Sequence, residues 1–127
     1  MNDTKYIHEL HAEHKGWIEE LNFASDEIRT YENRLAELLR ANNKAEITSK
    51  AEHFQNQFIR HREVIDELTH DIHECEQRIA EEAKANNVAT DHRRTQDHPG
   101  LRDRMETFTK IFDDLKKEFT GYLAAAL

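Results

Sequence analysis

Apolar residues in the first third of the chain fall at Ile7, Leu10, Trp17, Leu21, Ala24, Ile28, Tyr31, Leu35 and Leu38, and His14 fills the one gap in an alternation of three and four. That spacing draws a single stripe along a helix, so the segment must bury one narrow face against a partner helix. A second stripe follows at once through Ile47, Ala51, Phe54, Phe58, His61, Ile65, Leu68, Ile72, Cys75 and Ile79. A third, shorter one runs through Leu101, Met105, Phe108, Phe112, Leu115, Phe119 and Tyr122. The spacing predicts a single all-α domain, an antiparallel three-helix coiled-coil bundle made of a long helical hairpin and a shorter third helix.

Punctuation sets the boundaries. Asp3 or Thr4 can cap helix 1, expected over about residues 3–42, and Asn42-Asn43 can end it. Asn43 followed by Glu46 reads as a capping-box-like start for helix 2, about 44–86, which Asn86-Asn87 can stop. Residues 87–98 read as a polar connector with a possible turn of helix after Thr90. Pro99 then sits where proline suits a first helical turn, opening helix 3 over about 99–125. Thr107, Thr109, Thr120 and Gly121 weaken its helix propensity, which the phenylalanine stripe should override.

Folding helices 1 and 2 back at Asn42 to Lys44 brings together core residues whose numbers sum to about 85 or 86, and one register then serves both stripes. Helix 3, returning parallel to helix 1, aligns at an offset of about 91, with Met105 beside His14; a heptad either way also fits. Helix 3 spans roughly 40 Å against about 60 Å for the hairpin. The turn end, with Leu35, Leu38, Leu39, Ile47 and Ala51, is therefore expected to stay partly bare and to favour a homodimer. Shielding of that tip by Leu123-Ala-Ala-Ala-Leu127 is the monomeric alternative.

Composition removes several classes of function. Charged residues make up 35% of the chain and apolar ones 37%, which suits long helices around a thin core. A net charge of −8 opposes binding to a phosphate backbone, so no nucleic-acid partner is expected. No apolar run approaches the roughly 20 residues of a membrane span, and Met1 to Lys5 open on polar residues without a signal-peptide core. The lone cysteine, Cys75, fits a reducing cytoplasm and reads as a small buried core residue opposite Leu10.

Nine histidines are the remaining chemical resource, and seven of them (His8, His11, His14, His70, His73, His92 and His98) gather at the end of the bundle away from the turn. The helical wheel thins this group. His14 and His61 occupy stripe positions, His11 flanks one, and His8, His53, His70 and His73 face outward. Polar residues inside a stripe usually fix register and partner choice. Glu13 and Asp71 flank the stripe at the height of His14, and two facing carboxylates need a neutralising charge. A zinc, manganese or iron ion held by Glu13, His14, Asp71 and His98 could supply it, with Asp97 as a substitute for His98. So could Arg102 or Arg104 of helix 3.

Short motifs add little. Glu67 to His70 has the Glu-x-x-His spacing of ferritin-like proteins, while His92 to Asp97 and His98 to Asp103 have a His-x4-Asp spacing of hemerythrin-like ones. Neither full set is present: there is one Glu-x-x-His, on the outer face, and no His-x3-His. No Gly-rich phosphate loop, Gly-x-Ser-x-Gly, Cys-x-x-Cys or His-Glu-x-x-His occurs either, and no enzymatic activity is expected. Trp17 is expected to fill a core layer, with Gly16 giving space for its ring or for close approach of helix 3.

The segments His53-Phe54-Gln55-Asn56-Gln57-Phe58 and Ala89-Thr90-Asp91-His92 resemble phrases of small uncharacterised bacterial helical proteins, a likeness that covers much of the chain. The resemblance implies a helical bundle and no particular activity. A structural or protein-interaction module is therefore the leading expectation, with another helical protein or a second copy as partner. A metal-binding helical bundle is the alternative.

Overall fold

The computed structural model describes residues 4–86, 94–96 and 99–126, with side chains placed for residues 6–84 and 100–126. The order is β1 (Thr4–Tyr6), α1 (Ile7–Ala41), α2 (Ala45–Asn86), β2 (Arg94–Gln96) and α3 (Pro99–Ala126). The three helices form the expected all-α bundle.

Contacts between helices give their directions. Along α1 and α2, Tyr31 stacks near Phe58, Glu32 pairs with Arg62 and His14 meets Glu76, so numbers rise in one helix as they fall in the other. Between α2 and α3, Phe54 meets Phe119, His61 meets Phe108 and Phe112, and Asp71 meets Arg104, again antiparallel. α3 runs parallel to α1: Glu13 binds Arg102, Glu20 accepts from Thr109 and Glu27 pairs with Lys116. These α1–α3 pairs recur every seven residues on both helices, a polar ladder along the edge of the seam that holds α3 in one register.

The core is the three stripes. Leu21, Ile28, Leu35, Phe58, Leu68, Ile72 and Phe119 are fully buried, and His14 and His61 are the buried polar side chains among the described residues. Phe119 lies at the centre of an aromatic cluster, its ring 5.1 Å from Phe58 and 5.2 Å from both Phe54 and Tyr31, largely edge-on or tilted. Such geometry sets the positive rim of one ring against the negative face of another. α3 is helical through its threonines; Thr120 turns its hydroxyl back to the carbonyl oxygen of Lys116 at 2.9 Å.

Three expectations need correction. Helix 1 does not begin near residue 3, because Thr4–Tyr6 pair as an antiparallel strand with Arg94–Gln96, Lys5 opposite Thr95. The ladder gives the backbone of this segment partners that a helical first turn would lack; the helix starts at Ile7 with no capping side chain on Tyr6. The connector, read as wholly irregular or helical, contains the strand Arg94–Gln96; the turn of helix expected directly after Thr90 falls on residues 87–93, which with 97–98 lie outside the described residues. At the hairpin turn, Asn42 Nδ2 donates to the Leu38 carbonyl at 3.1 Å, and the Lys44 carbonyl accepts from Thr48 N–H at 3.1 Å. Lys44, not Asn43, thus stands immediately before α2.

The turn end is partly covered by the chain itself. Leu35, Leu38 and Ala51 are buried, Leu123 and Ala126 pack against the core, and Tyr122 Oη donates to the Ile47 carbonyl at 2.8 Å. The last turns of α3 thus cover the tip in part, as the monomeric alternative has it, while Leu39 and Ile47 stay half-buried. Gly16 does not mark a close approach of α3: a Cβ there would meet nothing within 4 Å beyond its chain neighbours. Within the described residues no helix is long and apolar enough to cross a membrane.

Candidate functional site

The first three turns of α1 pack beside the last turns of α2 and the start of α3, and the described members of the proposed ligand set lie there. The structure separates them. Arg102 grips Glu13 with two hydrogen bonds, Nε to Oε2 at 2.9 Å and Nη2 to Oε1 at 2.7 Å. Arg104, two residues on, donates to Asp71 Oδ2 at 2.7 Å. Each acid thus has its own arginine, and the planar guanidinium fits the Glu13 carboxylate with both of its donors. His98 lies outside the described residues, as do Asp97 and His92.

His14 takes a different partner. Its Nδ1 lies against Oε1 of Glu76, and Nδ1 of His11 lies against Oε2 of the same carboxylate. An ionised carboxylate only accepts hydrogen bonds, so each ring presents its proton at Nδ1. The two histidines differ in setting. His14 is 4% exposed and its ring sits 5.2 Å from that of Trp17, whereas the side chain of His11 is 72% exposed. Glu76 lies between them, partly buried, on a groove of about 560 Å³ that also takes in Ile7, His8, Lys15, Ile79 and Lys84.

Glu76 was not foreseen from the sequence, although its position carried a signal. It is one residue beyond the stripe position Cys75 and therefore flanks the seam, as His11 does on α1. Level pairing of backbones points His14 at Ile72 instead. Side chains lean toward the N-terminus of their own helix, and in an antiparallel pair these leans are opposed, so the side chains that meet come from positions farther along. Adding about one turn to the facing residue leads from Ile72 to Glu76.

His61 is the second buried histidine. Its Nδ1 lies 2.8 Å from the Gln57 carbonyl on the preceding turn, so that nitrogen donates and Nε2 carries the lone pair. Nε2 is buried without a hydrogen-bond partner, and the ring is tilted against Phe108 and Phe112. The same ring borders a groove of about 430 Å³ between α2 and α3. A second cluster, not foreseen from the sequence, stands on α2: ligand atoms of His70, Asp71 and Glu74 lie within 4.8 Å of one another. Asp71 is already engaged by Arg104, and His70 and Glu74 are exposed. Cys75 is buried and outside any disulfide, with Nη2 of Arg78 3.5 Å from its sulfur.

Two tyrosines have raised pKa values. Burial lifts the Tyr31 phenol above its usual value, and the Glu27 carboxylate beside it adds to the effect. Burial likewise raises Tyr122.

What the fold and this end of it define is a three-helix antiparallel bundle in which Glu13, Asp71, Arg102 and Arg104 join one helix to another. No protein-family model, curated protein or solved structure matches the chain.

Proposed function

We propose that the protein is a non-enzymatic structural or interaction module. The observation that carries this reading is the allotment of Glu13 to Arg102 and Asp71 to Arg104. The two acids that the sequence sets at the height of His14 bind α1 and α2 to α3, and so act in holding the bundle together. The surface left for partners is polar, net acidic and interrupted by a few large apolar side chains, Phe23, Ile59 and Ile111, each more than half exposed. These favour contact with another helical surface, and a second copy of the chain is the partner we propose; the acidic balance disfavours nucleic acid. A single cysteine, buried and outside any disulfide, supports a reducing compartment, the cytoplasm.

Sedimentation equilibrium at micromolar concentration tests the proposed partner. A mass twice the 15.0 kDa of the chain, returning to the single-chain value when Phe23, Ile59 or Ile111 is replaced by lysine, is the expected result. A mass that stays at 15.0 kDa across the concentration range removes the homodimer.

A further inference from the structure

His11 and His14 meet on the carboxylate of Glu76, two imidazoles and an acid at one point of the bundle, though less tightly gathered than the ligand atoms of His70, Asp71 and Glu74. Two imidazole nitrogens from adjacent turns of α1 approach the two oxygens of one carboxylate on α2. We propose that His11, His14 and Glu76 form a zinc site. Its protein ligands are the two Nδ1 atoms and a carboxylate oxygen, with water from the adjoining groove in the remaining position.

Chemistry favours zinc for this set. Imidazole nitrogen and carboxylate oxygen are both zinc ligands, and the filled d shell imposes no geometry that a pair of packed helices would have to meet. Three protein ligands and one water is the arrangement of an open zinc site. The carboxylate now accepts from two rings; on binding it becomes a ligand, and each neutral ring moves its proton from Nδ1 to Nε2 so that Nδ1 can donate its lone pair. No proton need leave the protein, and the site changes from a net charge of −1 to +1. His14 and Glu76 are held by the bundle, while His11, exposed and one turn nearer the end, swings its ring in to close the set. The groove that reaches His11 and Glu76 supplies the entry path a metal site requires.

The outer group of His70, Asp71 and Glu74 is the natural comparison. Its atoms are close, yet one of its carboxylates is held by Arg104 and its other two members stand in solvent, where a hydrated ion gains little. It serves as the internal control.

Zinc chloride is titrated at neutral pH into the tag-free, chelator-treated full chain, followed by calorimetry and by the fluorescence of Trp17, the single tryptophan, whose ring lies 5.2 Å from that of His14. One zinc per chain is expected, with a change in Trp17 emission that saturates at the same point. His11→Ala and Glu76→Gln should each weaken binding by at least about tenfold, as loss of a ligand must exceed loss of an outer-shell contact. His11→Ala lies on an exposed side chain, so circular dichroism should show its helices intact. The double variant His70→Ala/Glu74→Ala should bind as the wild type. Zinc binding unchanged in either His11→Ala or Glu76→Gln overturns the site, as does loss of binding in His70→Ala/Glu74→Ala, or the absence of any saturable binding by the wild type.

Discussion

Arg102 of α3 holds Glu13 of α1 through two nearly parallel hydrogen bonds, at 2.9 and 2.7 Å, across the open end of the bundle. The side chains are 26 and 27% exposed, enough shelter for the pair to outlast solvent screening and enough water to keep its worth modest. A double-mutant cycle on Glu13→Gln and Arg102→Gln, read by urea denaturation, should give a coupling of about 1 kcal/mol. Arg102→Lys should lose most of it, because an ammonium cannot present two parallel donors. A coupling indistinguishable from zero would mean the clasp contributes nothing to the register of α3.

Replacing Gly16 by alanine should stabilise the protein by about 1 kcal/mol. The residue lies inside α1, and the added methyl group meets nothing within 4 Å. The gain comes from reduced freedom of the unfolded chain. Thermal unfolding measures it, and a lowered midpoint in Gly16→Ala would show that the glycine has a packing role after all.

Phe119→Ala should be among the most damaging single substitutions, costing about 3–5 kcal/mol. The ring is fully buried and touches Phe54, Phe58, Tyr31 and Tyr122, so its removal opens a cavity that no single neighbour can fill. Loss of cooperative unfolding in calorimetry is the expected sign. Retention of a sharp transition near the wild-type midpoint contradicts this view of the cluster.

His61→Leu should leave the fold intact and raise its stability by about 1 kcal/mol. The substitution gives up the bond to the Gln57 carbonyl, which the helix itself can still engage, and removes a buried nitrogen with no partner. Chemical denaturation decides the sign. A clear loss would indicate that Nε2 has a partner in solution, such as a buried water.

Stability should fall as pH rises above about 10. Tyr31 and Tyr122 have folded-state pKa values raised above the usual 10.0, chiefly by burial. The unfolded chain therefore gives up these protons first, so the stabilisation is fully present below the unfolded value and is lost as pH climbs through the folded ones. Tyr31→Phe should flatten the alkaline limb of the profile, while an unchanged slope would place the titration elsewhere.

The heptads made the bundle legible: three stripes, a helical hairpin and the burial of His14, His61 and Cys75 follow from spacing alone. The strand pair did not, because Thr4–Tyr6 becomes a strand only by meeting Arg94–Gln96 some ninety residues later, a contact no local pattern encodes. Near the histidines the level of Glu13 and Asp71 was legible, and so were the arginines able to reach them. The one-turn displacement that gives His14 to Glu76 was not, since it depends on the lean of side chains and not on the backbone register. Cover of the tip by Leu123 and the alanines after it was legible as the monomeric alternative, whereas the bond from Tyr122 to the Ile47 carbonyl was not. Helix length alone does not fix where α3 starts along the hairpin, and that start decides how far it reaches.

Because α3 runs parallel to α1, the described chain enters the bundle at one pole and leaves it at the other. Tyr6 and Ala126 stand at opposite ends of a rod whose longest helices run to roughly 50–60 Å. Anything joined before the first helix and anything joined after the last would be kept apart by that distance, with an orientation set by the rod. The molecule can thus serve as a strut as well as a surface.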